Sequence, residues 1–342
     1  MPPGRARPYH LGAMTGIFPS EWFRRRTYHH SRFADLETLV RAKRGRTVSV
    51  CLPTRNEAAT VGAVVDGIRR ALVEEFPLVD EIVVMDSMST DGTVDAARSA
   101  GAIVFQDRDI LPELEPLGGK GDALWKSLFV LSGELIVFVD ADIRNFDPHF
   151  VYGLLGPLLA EEGVGYVKAL YERPIAEGEG LAATGGGRVT ELVARPLLNL
   201  FFPELVAIIQ PLSGEYAGTR EVFESVPFFT GYGVEFGLLV DIVDRIGIDG
   251  LAQVDMDVRV HRNQQVPELS RMAFSVLQAA FLRLRSLGRM ELHGDMERLY
   301  HQFQLGSEGY EPQTSAIEVR ERPPAMSVPE YRRRLRHELA GP

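Results

Sequence analysis

Asp140 and Asp142 are the two residues whose type and spacing most directly suggest chemistry. They follow residues 135–139, an apolar run that is typical of a strand buried on both faces. In an open α/β sheet, ligands bind beyond the carboxyl ends of strands, where two aspartates can hold a divalent cation together with a diphosphate. An isolated Asp-x-Asp is more often a turn or a cap, because acidic residues are common in both. Other motifs must decide between these interpretations.

Three further segments at predicted strand ends carry polar residues that suit a phosphate. Residues 53–57 read Pro-Thr-Arg-Asn-Glu, residues 86–92 read Asp-Ser-Met-Ser-Thr-Asp-Gly, and residues 119–121 read Gly-Lys-Gly. Because the carboxyl ends of parallel strands meet at one edge, four such ends predict a single crevice. Alternatives stay open, since the second motif can cap a helix and the lysine of the third can be solvated. The spacing of a P-loop is absent, as is a Gly-x-Gly-x-x-Gly after the first strand.

The elements that must position these residues alternate along the first half of the chain. We predict strands at 47–52, 81–85 and 102–105 and from Leu135, with helices at 60–72, 94–100 and 122–131. This alternation predicts the α/β class, with a mostly parallel Rossmann-like sheet flanked by helices and joined by right-handed crossovers.

The second half of the chain is less regular. We predict a strand at 164–171, helices at 190–202, 234–246, 267–287 and 295–304, and a turn-rich connection at 214–218. Residues 251–261 alternate, which predicts a strand with Asp255, Asp257, Arg259 and His261 on one face. Five glycines within 178–187 argue against a regular element there. Beyond residue 309 we expect a loose tail that ends in a short basic helix at 331–339.

Composition excludes several classes of protein. The chain has 342 residues, of which 45% are hydrophobic and 25% charged, and its net charge of -10 argues against non-specific nucleic-acid binding. The single cysteine, Cys51, excludes an intrachain disulfide and fits a reducing, cytoplasmic setting. No apolar run approaches the roughly 20 residues of a membrane span.

The N-terminal arm contains aromatic residues and two adjacent histidines. We expect Trp22 and Phe23 to dock on the body of the protein. His29 and His30 are candidate metal ligands, but a solvated arm is the expectation we adopt. The apolar surface of the helix at 267–287, together with Trp22 and Phe23, favours a homodimer, and the alternative is that both features pack within one chain.

The order and spacing of the four strand-end motifs resemble the nucleotide-binding half of a type-A-fold glycosyltransferase. Three motifs of the second half closely resemble the family of actinobacterial glucosyl-3-phosphoglycerate synthases: Gly-Gly-Gly-Arg-Val-Thr at 185–190, Gln-Pro-Leu-Ser-Gly-Glu-Tyr at 210–216 and Val-His-Arg-Asn at 260–263. Members of that family transfer glucose from UDP-glucose to the 2-hydroxyl of D-3-phosphoglycerate with retention of configuration. In them this reaction begins the synthesis of methylglucose lipopolysaccharide, and the enzymes are dimeric.

The resemblance implies a division of the chain and a role for particular residues. The segments are an N-terminal arm at 1–46, a donor-binding half at 47–145, an acceptor-binding and metal-completing half at 146–305, and a C-terminal tail at 306–342. Donor binding is implied for Pro53, Thr54, Glu57, Ser87, Lys120, Asp140, Ala141, Asp142, Glu235 and Arg262. Acceptor binding is implied for Gly187, Arg188, Val189, Thr190 and Asn263. The implied metal is Mg²⁺ or Mn²⁺ on Asp142 and His261, and the implied catalytic residues are Asp140, Asp142, Leu212, Glu235 and Arg259.

These roles have physical alternatives that the sequence leaves open. A glycine-rich loop followed by Arg188 is a good anion site, although many such loops are only linkers. Glu235 also suits the first turn of a helix because of the macrodipole, and His261 could be an ordinary surface residue.

The mechanism is open in the same way. UDP would leave with the help of the metal and of Arg259 or Arg262. A double displacement needs a carboxylate nucleophile, and the sequence singles none out. The resemblance favours front-face attack beside the carbonyl of Leu212, with the departing phosphate taking the acceptor's proton. Competing functions are a mannosyl or other nucleotide-sugar transferase of the same fold, and a non-catalytic nucleotide-sugar-binding protein.

Overall fold

A computed structural model describes residues 20–173, 175–177, 180–182, 187–260, 264–307 and 309–340. The strands are β1 (Thr27–His29), β2 (Val48–Thr54), β3 (Glu81–Asp86), β4 (Ile103–Gln106), β5 (Leu135–Phe138), β6 (Tyr166–Glu172), β7 (Ile175–Glu177), β8 (Gly180–Ala182), β9 (Tyr216–Thr219), β10 (Phe228–Phe229), β11 (Leu251–Val258), β12 (Leu299–Gly306), β13 (Gly309–Ala316) and β14 (Glu321–Arg322). The α-helices are α1 (Ser20–Arg26), α2 (Leu36–Lys43), α3 (Val61–Ile68), α4 (Thr93–Ala100), α5 (Gly119–Ser127), α6 (His149–Ala160), α7 (Arg195–Phe201), α8 (Arg220–Ser225), α9 (Val234–Ile246), α10 (Val266–Ser286) and α11 (Pro329–Ala340). Two π-helical segments, Arg69–Glu75 and Thr190–Ala194, extend α3 and precede α7.

Eight strands form one mixed sheet in the order β1-β11-β6-β9-β5-β2-β3-β4. Neighbours in this order are parallel except around β9, which runs antiparallel to both β5 and β6. The predicted α/β class with a mostly parallel sheet is therefore confirmed. The turn-rich connection predicted at 214–218 is wrong, because Tyr216–Thr219 is a central strand. Its four residues are too few to show a period in the sequence.

The sheet is buried on both faces, as the unbroken apolar run of β5 requires. Ile136 and Phe138 point into the core layer formed with α5, α9 and α10. Leu135 and Val137 point into the opposite layer, formed with α3 and α6. Each of these four side chains is at most 1% exposed. Burying one such side chain contributes about 1.5–3 kcal/mol, so β5 is fixed in register by both layers.

The chain after α10 differs most from the sequence-based expectation. The helix predicted at 295–304 is wrong, because β12 and β13 pair as an antiparallel hairpin. In the expected loose tail, Arg322 is buried beside Asp122 and Tyr331 is fully buried. Asp122 is 200 residues from Arg322 in sequence, and the hydroxyl of Tyr331 contacts Glu224, which is 107 residues away, so local pattern could not reveal these contacts. The basic helix is present as α11.

The N-terminal arm is part of the folded body. β1 extends the main sheet by pairing in parallel with β11. Trp22 and Phe23 are buried, and Trp22 Nε1 donates a hydrogen bond of 2.7 Å to the carbonyl of Ile248. The expected docking of these aromatics is confirmed, and they pack within one chain. The expectation of solvated histidines is wrong, because the side chains of His29 and His30 are only 9% and 14% exposed.

Two smaller observations complete the fold. Residues 175–177 and 180–182 pair as β7 and β8, although the glycine content of 178–187 argued against regular structure. Over the described ranges, no helix is both long and apolar enough to cross a membrane.

Candidate functional site

The strand ends singled out in the sequence open into one cavity of about 550 Å³. Thr54 of β2 pairs with Asp86 of β3, and the amide of Val139, just after β5, donates to the carbonyl of Cys51 in β2. The carboxyl ends of β2, β3 and β5 therefore lie at the same edge of the sheet. The cavity wall includes fifteen of the predicted site residues: Pro53, Thr54, Glu57, Ser87, Lys120, Asp140, Ala141, Asp142, Gly187, Arg188, Val189, Thr190, Leu212, Glu235 and Arg259. The other three, His261, Arg262 and Asn263, lie outside the described residues.

Further wall residues were not predicted as site residues. Polar and glycine positions among them are Arg55, Gly119, Arg173, Gly214, Gly231, Tyr232 and Gln264. An apolar part of the wall comes from Leu269, Met272 and Val276 of α10. Their spacing marked the apolar face of a helix in the sequence, which normally indicates packing rather than a site. α10 therefore contributes both to core packing and to the site, because this part of its apolar face borders the cavity.

Lys120 is held between two carboxylates and is not solvated. Its Nζ lies 2.6 Å from Asp140 Oδ1 and 2.8 Å from Glu235 Oε1. Burial alone would lower the pKa of Lys120, but these two carboxylates raise it, so the ammonium form is the stable one. α5 begins at Gly119 and thereby delivers Lys120 to the end of β5.

Arg259 joins both aspartates from the other side. Its Nη2 lies 2.7 Å from Asp142 Oδ1 and 3.1 Å from Asp140 Oδ2, and its Nε lies 2.9 Å from Glu215 Oε1. The side chain is only 4% exposed, so solvent screens these ion pairs weakly. Sequence analysis missed Glu215, which lies within a quoted motif but carried no separate signal.

The charges of this network give the two aspartates different pKa values. Burial opposes ionisation of Asp140, yet Lys120 and Arg259 lower its pKa to about 2. Burial raises the pKa of Asp142, which Arg259 only partly offsets. Burial likewise raises the pKa of Glu215. Of the two aspartates, Asp142 is therefore the one whose negative charge is less fully balanced by neighbouring cations.

A local irregularity in β11 separates the polar residues that strict alternation placed together. The register against β6 shifts between Asp255 and Val258, and Asp257 has a φ of 62°. Beyond this bulge Arg259 reaches the aspartates, whereas Asp257 contacts His29 and His30. The prediction that Asp257 and Arg259 lie on one face of the strand is therefore wrong, because one extra residue changes which way the following side chains point.

The backbone at Gly214 lies against Asp140. A Cβ at Gly214 would be 2.2 Å from Asp140 Oδ2, so only glycine allows this approach. Lys168 Nζ donates 2.9 Å to the carbonyl of Ser213 and is 1% exposed. Burial lowers the pKa of Lys168 to about 7. Lys168 was missed because a single lysine in a strand has no distinguishing sequence signal.

The predicted anion loop, residues 187–190, faces the same cavity. Gly187 has a φ of 77°, a conformation that favours glycine, and its carbonyl accepts from the amide of Glu191. Val189 and Thr190 are buried, while Arg188 is partly exposed and donates 2.9 Å to the carbonyl of Gln264. Arg188 is therefore the member of the loop whose charge is available to a ligand.

The composition of the site fits a hard divalent cation. Among the described residues of the network, the carboxylates of Asp140, Asp142, Glu215 and Glu235 contact two cations, Lys120 and Arg259. A surplus of carboxylate oxygen is what Mg²⁺ and Mn²⁺ prefer as ligands. Asp140 and Asp142 are about equally exposed at the cavity wall, at 26% and 27%, but Asp140 is paired with both Lys120 and Arg259, so Asp142 is the carboxylate more available to an ion.

Comparisons with known proteins agree with this architecture. The model of the family described as "Glycosyl transferase family 2" matches residues 49–224. A glucosyl-3-phosphoglycerate synthase from Petrotoga mobilis is 47% identical over 317 residues, covering 92% of this chain and 97% of the relative. The crystal structure of mannosyl-3-phosphoglycerate synthase from Rubrobacter xylanophilus is 43% identical with a TM-score of 0.82, covering 90% of this chain and 98% of that one.

Solved structures from Mycobacterium tuberculosis carry ligands. One shows glucosyl-3-phosphoglycerate synthase in complex with Mn²⁺, UDP-glucose and phosphoglyceric acid. It is 43% identical with a TM-score of 0.76 and covers 88% of this chain and 98% of that one. Another contains Mg²⁺ and UDP.

Proposed function

The chain belongs to glycosyl transferase family 2, and on that premise we propose that it transfers glucose from UDP-glucose to the 2-hydroxyl of D-3-phosphoglycerate. The observation that carries this proposal is that Asp140, Asp142 and the loop at 187–190 line one cavity. A sugar diphosphate at the aspartates and a phosphorylated acid at the loop would meet there. The names and ligands of the similar proteins support the same pair of substrates.

The donor would lie along the ends of β2, β3 and β5. Pro53, Thr54, Glu57 and Ser87 line the cavity at the ends of β2 and β3, where uracil and ribose would bind. Lys120 is expected to orient Asp140 and Glu235, because it contacts both. Glu235 would then accept hydrogen bonds from glucose hydroxyls, and Ala141 would contribute only its backbone.

Asp142 and His261 would hold Mg²⁺ or Mn²⁺. The ion would neutralise charge on the diphosphate and so make UDP a better leaving group. The chain entering His261 is anchored beside Asp142, since the amide of Val260 donates 2.7 Å to Asn145 Oδ1 and its carbonyl accepts 2.9 Å from the amide of Arg144. Arg259 and Arg262 would add positive charge at the same diphosphate.

The acceptor would bind at the loop at 187–190 together with Asn263. Arg188 offers a planar guanidinium that matches a phosphate or carboxylate, and Gly187 leaves backbone amides accessible. The carbonyl of Gln264 holds Arg188 in place, which links the loop to the segment that follows Asn263. The positive charge of Arg188 would favour an acceptor that carries a negative charge.

The arrangement favours retention by front-face attack. Of the carboxylates at the described cavity wall, Asp140 and Glu235 are paired with Lys120, Asp142 is paired with Arg259, and Glu57 lies among the residues proposed to bind uracil and ribose. A paired carboxylate is a weak nucleophile, so a covalent sugar intermediate is disfavoured. The acceptor hydroxyl would lose its proton to the departing phosphate, while the carbonyl of Leu212 would stabilise positive charge at the anomeric carbon.

A mannosyl donor is the second candidate. It is favoured by the similarity to the Rubrobacter xylanophilus structure, which is named for mannosyl transfer. Glucose and mannose differ only in the configuration at carbon 2, so the choice of sugar would depend on contacts to that hydroxyl, whereas the choice between UDP and GDP would depend on contacts to the base. Glu235, which lies next to Lys120 in the cavity, is a candidate for that contact.

A matrix of donors and acceptors tests both candidates. Purified protein with Mg²⁺ is given UDP-glucose or GDP-mannose, each with and without D-3-phosphoglycerate, and release of nucleoside diphosphate is measured. We expect turnover with UDP-glucose only when the acceptor is present, and the product should keep the α configuration by NMR. Faster turnover with GDP-mannose would replace the first candidate with the second. Absence of acceptor-dependent turnover with either donor would contradict both.

We further propose a homodimer that works in the cytoplasm. The hairpin of β12 and β13 exposes Phe303, Leu305 and Tyr310, each at least 70%, which is costly for apolar side chains in water. The single cysteine of the chain, Cys51, is a free thiol, which supports the proposal of a reducing compartment. Light scattering should give twice the chain mass, and Phe303→Ser should lower that mass if the hairpin forms the contact.

A further inference from the structure

A second cluster of metal-binding side chains lies at the outer edge of the main sheet, where β1 joins β11. We call His29, His30 and Asp257 the edge cluster. Within the described part of the chain, these three are the group of at least three such residues whose ligand atoms all lie within 4.8 Å of one another. None of the three lines the cavity, so the cluster is separate from the site described above.

The carboxylate of Asp257 is placed between the two imidazoles. Its Oδ1 lies 3.0 Å from His29 Nε2 and its Oδ2 lies 2.9 Å from His30 Nε2. Ligand atoms around a four-coordinate Zn²⁺ are about 3.3 Å apart, given bond lengths of about 2.0–2.1 Å. The two contacts to Asp257 are a few tenths of an ångström shorter than this spacing, and all three ligand atoms lie within 4.8 Å of one another, so a small rearrangement would admit an ion in place of the hydrogen bonds.

The far nitrogen of each imidazole has an oxygen beside it. His29 Nδ1 lies 2.7 Å from Ser31 Oγ, and His30 Nδ1 lies 3.5 Å from the hydroxyl of Tyr152. The amide of Ser31 donates 3.2 Å to His29 Nδ1, so without an ion Nδ1 accepts and the proton of His29 is on Nε2, facing Asp257. Binding of an ion would require each Nε2 to lose its proton, which would free the Nε2 lone pair as a ligand and leave the ring proton on Nδ1, beside the hydroxyl, as in most metal-binding histidines.

Neighbouring groups hold the edge cluster rigidly. His149 stacks on His30 with 4.2 Å between ring centroids. Both nitrogens of His149 are already used, at 2.8 Å from Asp147 Oδ1 and 3.1 Å from the carbonyl of Met256. His149 is therefore a support for His30 rather than a ligand, and the ligand set is two imidazoles and one carboxylate.

We propose that His29, His30 and Asp257 bind a divalent transition-metal ion, and that Zn²⁺ is the ion they suit best. Imidazole and carboxylate are Zn²⁺ ligands, whereas Mg²⁺ prefers an all-oxygen shell. Asp257 is 45% exposed, so water can complete the fourth position. The ion would tie β1 of the N-terminal arm to β11, the strand that leads directly to Arg259 in the cavity.

Zn²⁺ titration of variants tests the proposal. Full-length protein is stripped with a chelator and titrated calorimetrically with Zn²⁺ in saturating Mg²⁺, and the unfolding temperature is followed in parallel. Zn²⁺ can also enter the cavity, so the test compares the number of Zn²⁺ equivalents bound by two proteins. Wild type should bind one equivalent more than Asp257→Gly. Zn²⁺ should raise the unfolding temperature of wild type more than that of the variant.

Asp257→Gly is chosen because glycine readily adopts the φ of 62° found there, so the variant should fold. His301→Ala is the matched control, since it removes an exposed imidazole from the β12–β13 hairpin and should keep the full stoichiometry. Tyr152→Phe removes the hydroxyl beside His30 and should weaken the extra site by about 10-fold. Equal Zn²⁺ stoichiometry in wild type and Asp257→Gly would overturn the proposal.

Discussion

The two sides of the cavity hold their charges differently. On the donor side, Lys120 and Arg259 contact carboxylates at 2.6–3.1 Å, and Arg259 is 4% exposed. On the acceptor side, Arg188 is partly exposed and its guanidinium donates to one backbone carbonyl, that of Gln264. The donor side is therefore a preorganised ion network, whereas the acceptor side keeps a cation available for an incoming anion.

This difference follows from what each substrate brings. A nucleotide sugar develops charge on its leaving diphosphate, and dipoles or ions fixed in advance stabilise such charge without reorganisation. A phosphorylated acceptor arrives with its charge complete, so a guanidinium with few internal partners binds it better. Substitutions on the donor side should therefore reduce turnover, and those on the acceptor side should mainly reduce affinity.

The largest effect is expected for Asp142→Ala. Loss of the proposed metal-binding carboxylate should weaken metal binding and lower kcat/KM for UDP-glucose by about 1,000-fold, since metal and oxyanion stabilisation are worth several kcal/mol. Asp147→Ala is the control, because Asp147 contacts His149 away from the cavity and should keep near wild-type rates. A decrease of less than tenfold in Asp142→Ala, with unchanged Mg²⁺ dependence, would exclude Asp142 as a ligand.

Gly214→Ala tests the packing of the donor side. The added Cβ would lie 2.2 Å from Asp140 Oδ2, so either the backbone or Asp140 must move away. We expect kcat to fall by about 100-fold with the fold retained, because small displacements of catalytic groups are costly. Gly62→Ala, whose Cβ would meet Ala96 at an ordinary 3.6 Å, is the control by circular dichroism and activity. Unchanged kcat in Gly214→Ala would mean that Asp140 tolerates displacement.

Arg188→Ala tests the acceptor side. We expect the KM for D-3-phosphoglycerate to rise by about 10- to 100-fold while the KM for UDP-glucose changes little, because a charge-assisted contact to one substrate is lost. Arg271→Ala removes an arginine of α10 that pairs with Glu268 and should leave both values unchanged. Equal losses for both substrates would show that the two sides of the cavity are not independent.

The smallest effect concerns Lys168, beneath the donor side. Burial lowers the pKa of Lys168 to about 7. Between pH 7 and about 10, Lys168 is therefore protonated in the unfolded chain but largely neutral in the folded protein. Stability should therefore rise with pH in this window, by about 1 kcal/mol per pH unit for this residue. Lys168→Met should remove that component, as measured by urea unfolding at matched pH. Identical slopes in wild type and variant would show that Lys168 stays protonated when buried.

Regular elements were predicted well where the sequence has a clear period. The amphipathic helix at 234–246 matches α9, and the helix at 267–287 matches α10 to within one residue at each end. The prediction failed where the pairing of β-strands decided the structure, as in the hairpin of β12 and β13 and in the central strand β9. β-strands depend on distant partners, so short ones leave little local signal.

The residues of the candidate site likewise divide into those that local sequence could place and those that it could not. Pro53, Ser87, Lys120 and Asp142 could be placed together because motifs at the ends of parallel strands must converge. Glu215 and Lys168 could not be found, because each owes its significance to burial beside residues from other strands.

The sequence by itself determined which side chains are available at the sheet edge, since strand order and apolar runs fix where each motif ends. Only the tertiary structure decided how those side chains are paired. Arg259 reaches Asp140 and Asp142, and Asp257 turns toward His29 and His30, because of a single bulge in β11. A bulge depends on the register between neighbouring strands, and that register is set by packing across the whole sheet rather than by local sequence.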